Sequence, residues 1–202
     1  MTPPRSIAVG VTGASGAIYA VRTIAALLER GCALEIVFSD YGKRLLMDEL
    51  GPDAKVDRLI ELLEARYGAG VRRGSFVVHC NKDLGATLAS GSHRCDSMVI
   101  VPCSMKTLAG VAHGLSRNLI ERAADVMLKE KRRLVIVPRE TPMSLPQLKN
   151  MVLCAEAGAM MLPAMPAFYQ MPKTLDDLAD FMAGKIISAL GFDQNLYSKW
   201  EG

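Results

Sequence analysis

Short apolar runs alternate with longer stretches of helical spacing from one end of the chain to the other. Ile7, Ala8, Val9 and Val11 predict a buried strand over 6–11. Over 17–30, Val21, Ile24, Ala25 and Leu28 recur at helical intervals, and Gly31 supplies a stop. A strand is expected over 34–38, then helices over 42–50 and 55–67, separated by Gly51-Pro52. The pattern weakens to a marginal strand over 75–79 and an irregular segment over 81–96, "NKDLGATLASGSHRCD". A strong strand over 97–102 precedes a helical stretch over 104–131 that breaks near Gly114. The remaining elements are a strand over 134–137, a helix over 145–157, a short strand over 160–162 and an amphipathic helix over 175–190.

Continuous apolar strands separated by helices predict an α/β protein with a parallel sheet covered on both faces. Neither an internal repeat nor a low-complexity linker interrupts the pattern. The expectation is one domain over 1–202, with its core over 7–190 and a C-terminal tail over 191–202. Open parallel sheets bind ligands beyond the carboxyl ends of their strands, where the strand order reverses. That rule selects Thr12, Gly13, Ala14 and Ser15, then Ser39 and Asp40, then the residues 103–107, then Arg139, Glu140 and Thr141.

Composition narrows the functions open to such a sheet. A net charge of +3, carried by dispersed basic residues, and few aromatics argue against nucleic acid as a partner. No stretch reaches the roughly 20 apolar residues that span a bilayer, and "MTPPRS" lacks the apolar core of a secretory signal. Five widely spaced cysteines with no C-x-x-C pair read as reduced thiols of a cytoplasmic protein. His79, His93 and His113 lack metal-ligand spacing, and His79 and His93 read as solvated or lightly packed side chains.

The stretch "GVTGASGA", residues 10–17, resembles a phosphate-binding turn without meeting a common glycine fingerprint. Gly10, Gly13 and Gly16 do not fit G-x-G-x-x-G, no Gly-Lys-Ser/Thr follows, and Ala17 stands where a nucleophile elbow needs glycine. What remains is a strand running into a helix N-terminus, with unpaired amides and the Ser15 hydroxyl. It can hold an anion, or be a tight turn with no ligand. In "PCSMKT", Ser104, Lys106 and Thr107 place two hydroxyls and an amine at another helix start, although an N-cap alone accounts for Ser104. "PRETP" sets Arg139 and Glu140 on a short turn between prolines, at the predicted ligand edge.

Taken in order, "TGASGA", "ASGS", "PCSMKTLAG", "NLIERAADVMLKE", "VPRETP" and "PAFY" resemble the flavin prenyltransferases of the UbiX type. The resemblance extends from Ile7 to Trp200, essentially the whole chain. It implies a Rossmann-like (flavodoxin-like) flavoprotein that binds FMN, commonly as a dodecamer. The implied reaction joins a dimethylallyl group from dimethylallyl phosphate to N5 and C6 of reduced FMN. The prenylated FMN then serves a UbiD-type decarboxylase, and no metal takes part.

Residue by residue, Gly13, Ala14 and Ser15 match the first FMN-binding turn, Ser39 the second, and Ser104, Met105, Lys106 and Thr107 the third. Arg139 matches a flavin-contacting arginine, and Ser90 and Gly91 a small-residue loop beside the flavin and prenyl pocket. Tyr169 and Lys185 match positions that hold the donor phosphate, with Arg122, Lys129, Arg139 and Glu140 around it. Glu49 matches an acidic residue near the reacting flavin edge. The implied catalytic set is Ser15, Glu49, Lys129 and Glu140, and neighbouring subunits supply several of these residues.

Cleavage of an allylic carbon–oxygen bond leaves positive charge on the prenyl group and negative charge on the phosphate. Cations and a phenol suit the second requirement, and Glu140 suits the proton lost on ring closure. Two positions depart from the family pattern. Lys185 replaces a frequent arginine and offers a point charge in place of a bidentate fork. Leu84 stands in the segment where some members carry tryptophan, and the sole tryptophan is Trp200. Two other readings of the same chain are an FMN-dependent cysteine-type decarboxylase and a non-catalytic flavin-binding subunit of a decarboxylase complex.

Overall fold

The computed structural model describes residues 4–198, so Trp200 lies outside the described residues. Six strands form one parallel sheet: β1 (Ser6–Val11), β2 (Ala33–Phe38), β3 (Ser75–Cys80), β4 (Ser97–Cys103), β5 (Arg133–Pro138) and β6 (Met160–Met161). Their order is β3-β2-β1-β4-β5-β6, which is the Rossmann arrangement of doubly wound sheets. The strand order reverses between β1 and β4, so the crevice for a ligand opens above those two strands.

The helices are α1 (Ala17–Glu29), α2 (Asp40–Leu50), α3 (Leu59–Tyr67), α4 (Met105–Ala112), α5 (Leu119–Lys129), α6 (Leu145–Glu156) and α7 (Leu175–Ala189). Strand alternation divides the core in two. Ile7, Val9, Leu34, Ile36, Val99 and Val135 pack with α1, α3 and α7 on one face. Ala8, Val37, Met98, Ile100, Leu134 and Ile136 pack with α4 and α5 on the other. Every residue of β4 is buried, which explains its continuous apolar run.

The strands and helices lie within a few residues of their expected positions. The largest refinement is in the stretch 104–131, which is two helices with separate caps. Ser104 accepts from the Thr107 amide at 3.3 Å, and Asn118 accepts from the Glu121 amide at 3.0 Å. Between them Gly114 adopts φ +61°, a conformation that ends α4 cleanly.

The second face also explains the irregular segment 81–96. No helix covers β2 and β3 there. Ala86, Leu88, Ala89 and Cys95 of this segment join the second core cluster instead, with Thr87–Ala89 wound into one 3-10 turn.

Candidate functional site

Thr12 is the centre of the switch point. Its hydroxyl donates to the Pro102 carbonyl at 2.8 Å and accepts from the Ser104 amide at 2.7 Å, so one buried side chain joins the β1 and β4 turns. Thr12→Val should leave the Ser104 amide unpaired and lower stability by about 1–3 kcal/mol. Thermal unfolding with and without FMN checks this; an unchanged midpoint in both states contradicts the role.

A cavity of about 420 Å³ opens above these turns, lined by Gly13, Ser39, Asp40, Tyr41, Asn81, Ser104, Lys106, Thr107, Asn118, Ile120 and Glu121. The hydroxyls of Ser39 and Ser104 act as N-caps of α2 and α4. Ser104 Oγ also donates to Thr107 Oγ1 at 3.1 Å. Each helix start thus retains unpaired first-turn amides beside a hydroxyl, and α4 adds the Lys106 ammonium. This donor set suits a phosphate dianion.

The α1 N-terminus is different. Gly16 turns the chain at φ +116°, and α1 has no cap from its own N-cap side chain. Glu49, at the end of α2, fills that role: its carboxylate accepts from the Gly16 amide at 2.9 Å and the Ala17 amide at 2.7 Å. The anion at this helix start is therefore supplied by the chain, and "GVTGASGA" shapes the crevice wall without gripping a phosphate through those two amides.

Ser15 is exposed at the crevice rim, and Arg139 reaches it from the β5 turn, donating through Nε to the Ser15 carbonyl at 3.1 Å. Arg139 is itself fixed by its amide, which donates to Cys103 O at 3.3 Å. Glu140, next along, accepts through its side chain from the Thr141 amide at 3.0 Å. Tyr19, on the first turn of α1, lies in the field of both Arg139 and Glu49. Burial pushes its phenol up, Arg139 draws it down, and Glu49 raises it. Tyr19 is a site residue that sequence reading did not select, as are Tyr41, Asn81 and Glu121, whereas the strand-end rule did select Thr12. Of the four missed, only Asn81 carried a signal, directly following β3.

Ser90, Gly91, Arg122 and Lys129 form a second group over α5. Arg122 donates to Ala89 O at 3.0 Å and pairs with Asp125 at 2.7 Å, while Lys129 pairs with Glu130. Gly91 lies against the side-chain ends of Lys129 and Glu130, which places the loop over the end of α5. Lys129 ends α5, at the edge where β5 begins, whereas Arg139 follows the far end of β5. Six residues at about 3.3 Å each separate them by roughly 20 Å.

Tyr169 and Lys185 form a third group on the α1–α7 face. The Tyr169 ring meets Phe181 edge-on at 6.0 Å, and Lys185 Nζ lies 5.5 Å from the Phe181 ring and 5.7 Å from that of Tyr197. One chain thus brings together the proposed flavin residues of the β1, β2, β4 and β5 turns, sets Ser90 and Gly91 apart from them beside α5, and keeps two groups of proposed donor-phosphate residues on other surfaces.

His79 and His93 depart from the solvated or lightly packed expectation: both rings hydrogen-bond the buried carboxylate of Glu35. The five cysteines are free thiols, and burial raises Cys95 and Cys154 to about 11. Among the described residues no group of three His, Cys, Asp or Glu is placed to hold a metal ion, and no helix is long and apolar enough to cross a membrane.

The sheet order, the switch-point cavity and its hydroxyl-rich helix starts define a doubly wound mononucleotide-binding protein. A Flavoprotein family model matches residues 1–187. The flavin prenyltransferase UbiX of Halalkalibacterium halodurans is 45% identical over 95% of this chain and 91% of its own. The crystal structure of AnUbiX (PadA1) in complex with FMN and dimethylallyl pyrophosphate superposes with a TM-score of 0.87, at 36% identity, over 99% of both chains. A dodecameric FMN-dependent UbiX-like decarboxylase from Escherichia coli O157:H7 does so at 0.86, with 37% identity over 98% of this chain and 100% of that one. The chain belongs to the Flavoprotein family and, within it, to the flavin prenyltransferases of the UbiX type.

Proposed function

We infer that this protein is a flavin prenyltransferase that joins a dimethylallyl group to N5 and C6 of reduced FMN. The cavity at the β1–β4 switch point carries the reading, because its donors match a mononucleotide phosphate and its family relatives act on flavin. Ser39, Ser104 and Thr107, with Lys106 and the α4 amides, hold the FMN phosphate, and Gly13, Ala14 and Met105 shape the wall beside it. Reduced FMN supplies, when bound, the electron-rich ring edge that accepts the prenyl group.

Arg139, anchored on the Ser15 carbonyl, holds a cation beside that edge. Lys129, Arg122, Tyr169 and Lys185 complete the donor-phosphate site from neighbouring copies, since one chain holds them on separate surfaces. Their charge and hydrogen bonds stabilise the leaving phosphate as the allylic carbon–oxygen bond breaks. Glu140 takes the proton released on ring closure, while Ser15 and Glu49 set the polarity of the flavin edge.

The test is the mass of the flavin after incubation of reduced FMN with dimethylallyl phosphate, with the pyrophosphate in a parallel arm. A mass gain equal to one C5H8 unit is expected with the monophosphate. An unchanged FMN mass in both arms overturns the reading. The product then passes to a UbiD-type decarboxylase, which the protein serves in the cytoplasm.

An unusual helix supports assembly with further copies, as in the dodecameric relative. Of the twelve residues of α6 only Cys154 is buried, while Leu145, Leu148 and Val152 share one exposed face. Apolar side chains at this spacing suit contact with another copy of the chain. Leu148→Glu with Val152→Glu should yield a smaller species by light scattering and abolish prenyl transfer, with the far-ultraviolet circular dichroism retained. A full-size assembly would remove α6 from the interface.

A further inference from the structure

Glu35 is the one carboxylate on β2, and its neighbours Leu34, Ile36, Val37 and Phe38 are all buried. It points to the face that the segment 81–96 covers in place of a helix. An apolar residue would satisfy burial there; the carboxylate instead receives two histidines. His79, on β3, lies 2.9 Å from Oε2 through its Nε2, and His93, in the covering segment, contacts Oε1 through its Nε2. Because a carboxylate oxygen only accepts, both rings present Nε2 as the N–H. Cys95 also lies in the Glu35 field; its thiol is held protonated mainly by burial, with the carboxylate adding to the effect.

The segment is held from the opposite side through its backbone. Arg132 donates to Gly91 O at 2.7 Å and His93 O at 2.8 Å, and Arg122 donates to Ala89 O at 3.0 Å. Ser90 and Gly91 are therefore suspended between α5 and the sheet. On the sheet side, the segment is held by the His93 ring on Glu35, by the buried Leu88 and Cys95, and by Asp96 on Ser6 of β1.

We propose that Glu35 is a positioning residue for prenyl transfer, acting through His93 to hold the Ser90–Gly91 loop against the prenyl-donor pocket, with His79 locking the carboxylate in place. The proposal rests on the reading of that loop as one wall of the donor site. It assigns work to a buried cluster away from the switch-point cavity. FMN phosphate recognition, carried by the β2 and β4 turns, is independent of it.

His93→Phe removes the donor and keeps the bulk, whereas in His93→Gln the side-chain amide N–H stands near the place of Nε2. In the assembled protein, His93→Phe should raise the KM for dimethylallyl phosphate about tenfold, the equivalent of one charge-assisted hydrogen bond. FMN affinity, read from flavin fluorescence, should stay within about twofold, below the loss of one such bond. Amides of residues 88–93 should exchange faster with deuterium while those of β1 and β4 do not. His93→Gln should restore both the KM and the protection.

Unchanged exchange at 88–93 in His93→Phe overturns the latch. Faster exchange with an unaltered donor KM overturns the coupling of this loop to the donor pocket, while leaving prenyl transfer itself intact. Equal losses in donor KM and FMN affinity would mark a merely structural role and also overturn the proposal.

Discussion

Arg139→Ala is expected to lower kcat/KM for prenyl transfer by about 10²–10³-fold, the usual consequence of removing one preorganised group that meets charge in the transition state. The size follows from how Arg139 is held. Its amide is tied to β4 through Cys103 O and its Nε to Ser15 O, so the guanidinium is in position before substrate arrives. The Nη groups make no hydrogen bond among the described residues, which leaves them for the flavin edge and the departing phosphate. Arg139→Lys keeps the charge but cannot span Ser15 and a phosphate together, so it should recover only part of the rate. FMN affinity should fall less than kcat/KM, because the phosphate donors lie on other turns. Equal losses in the two quantities would reassign Arg139 to cofactor retention.

Glu49→Ala should have the second largest effect, and it acts on structure and chemistry together. The carboxylate caps two α1 amides, so its loss exposes the positive end of that helix beside the flavin edge. The stability cost should be only about 1 kcal/mol, since Glu49 is largely exposed and its charge is screened. Turnover should fall by more than tenfold, the factor that corresponds to about 1.4 kcal/mol. With both amides unpaired, the "GASG" turn is free to shift Ser15 and to attract an anion of its own. Glu49→Gln retains one acceptor oxygen and should lie between wild type and Glu49→Ala in melting temperature. If turnover in Glu49→Gln falls as far as in Glu49→Ala while the melting temperature recovers, the charge matters to the reaction beyond the cap. Wild-type turnover in Glu49→Ala would remove Glu49 from the site altogether.

Much of the fold was legible because its signals are local. The runs at Ile7–Val9 and over 97–102, the glycine stops at Gly31 and Gly114, and the cap residue Ser104 each act within a few positions of the chain. The strand-end rule then found the crevice turns without any knowledge of strand order, since the carboxyl ends of parallel strands share one edge. Ser39, Ser104, Lys106, Thr107 and Arg139 were all reached in that way.

The misses are long-range pairings. His79 and His93 looked solvated or lightly packed because nothing near them in sequence announces Glu35, which is 44 and 58 positions away. Glu49 was reached only through the family resemblance, because its place beside Asp48 on a helix gives no sign of what it pairs with. Its partners are the amides of Gly16 and Ala17, more than thirty residues earlier.

Periodicity, glycine stops and turn chemistry by themselves determined a parallel α/β sheet with a ligand edge and a set of polar turns on it, because hydrophobic spacing and backbone geometry are properties of neighbouring residues. Only the tertiary structure decided which helix start is left for a phosphate. Both α1 and α4 begin with amides free of intrahelical partners, and hydrophobic spacing alone does not tell them apart. The difference is made by the fold, which brings the end of α2 back to place Glu49 on α1. The α4 start is left open to the cavity, because an anion already bound within the chain satisfies one helix and not the other.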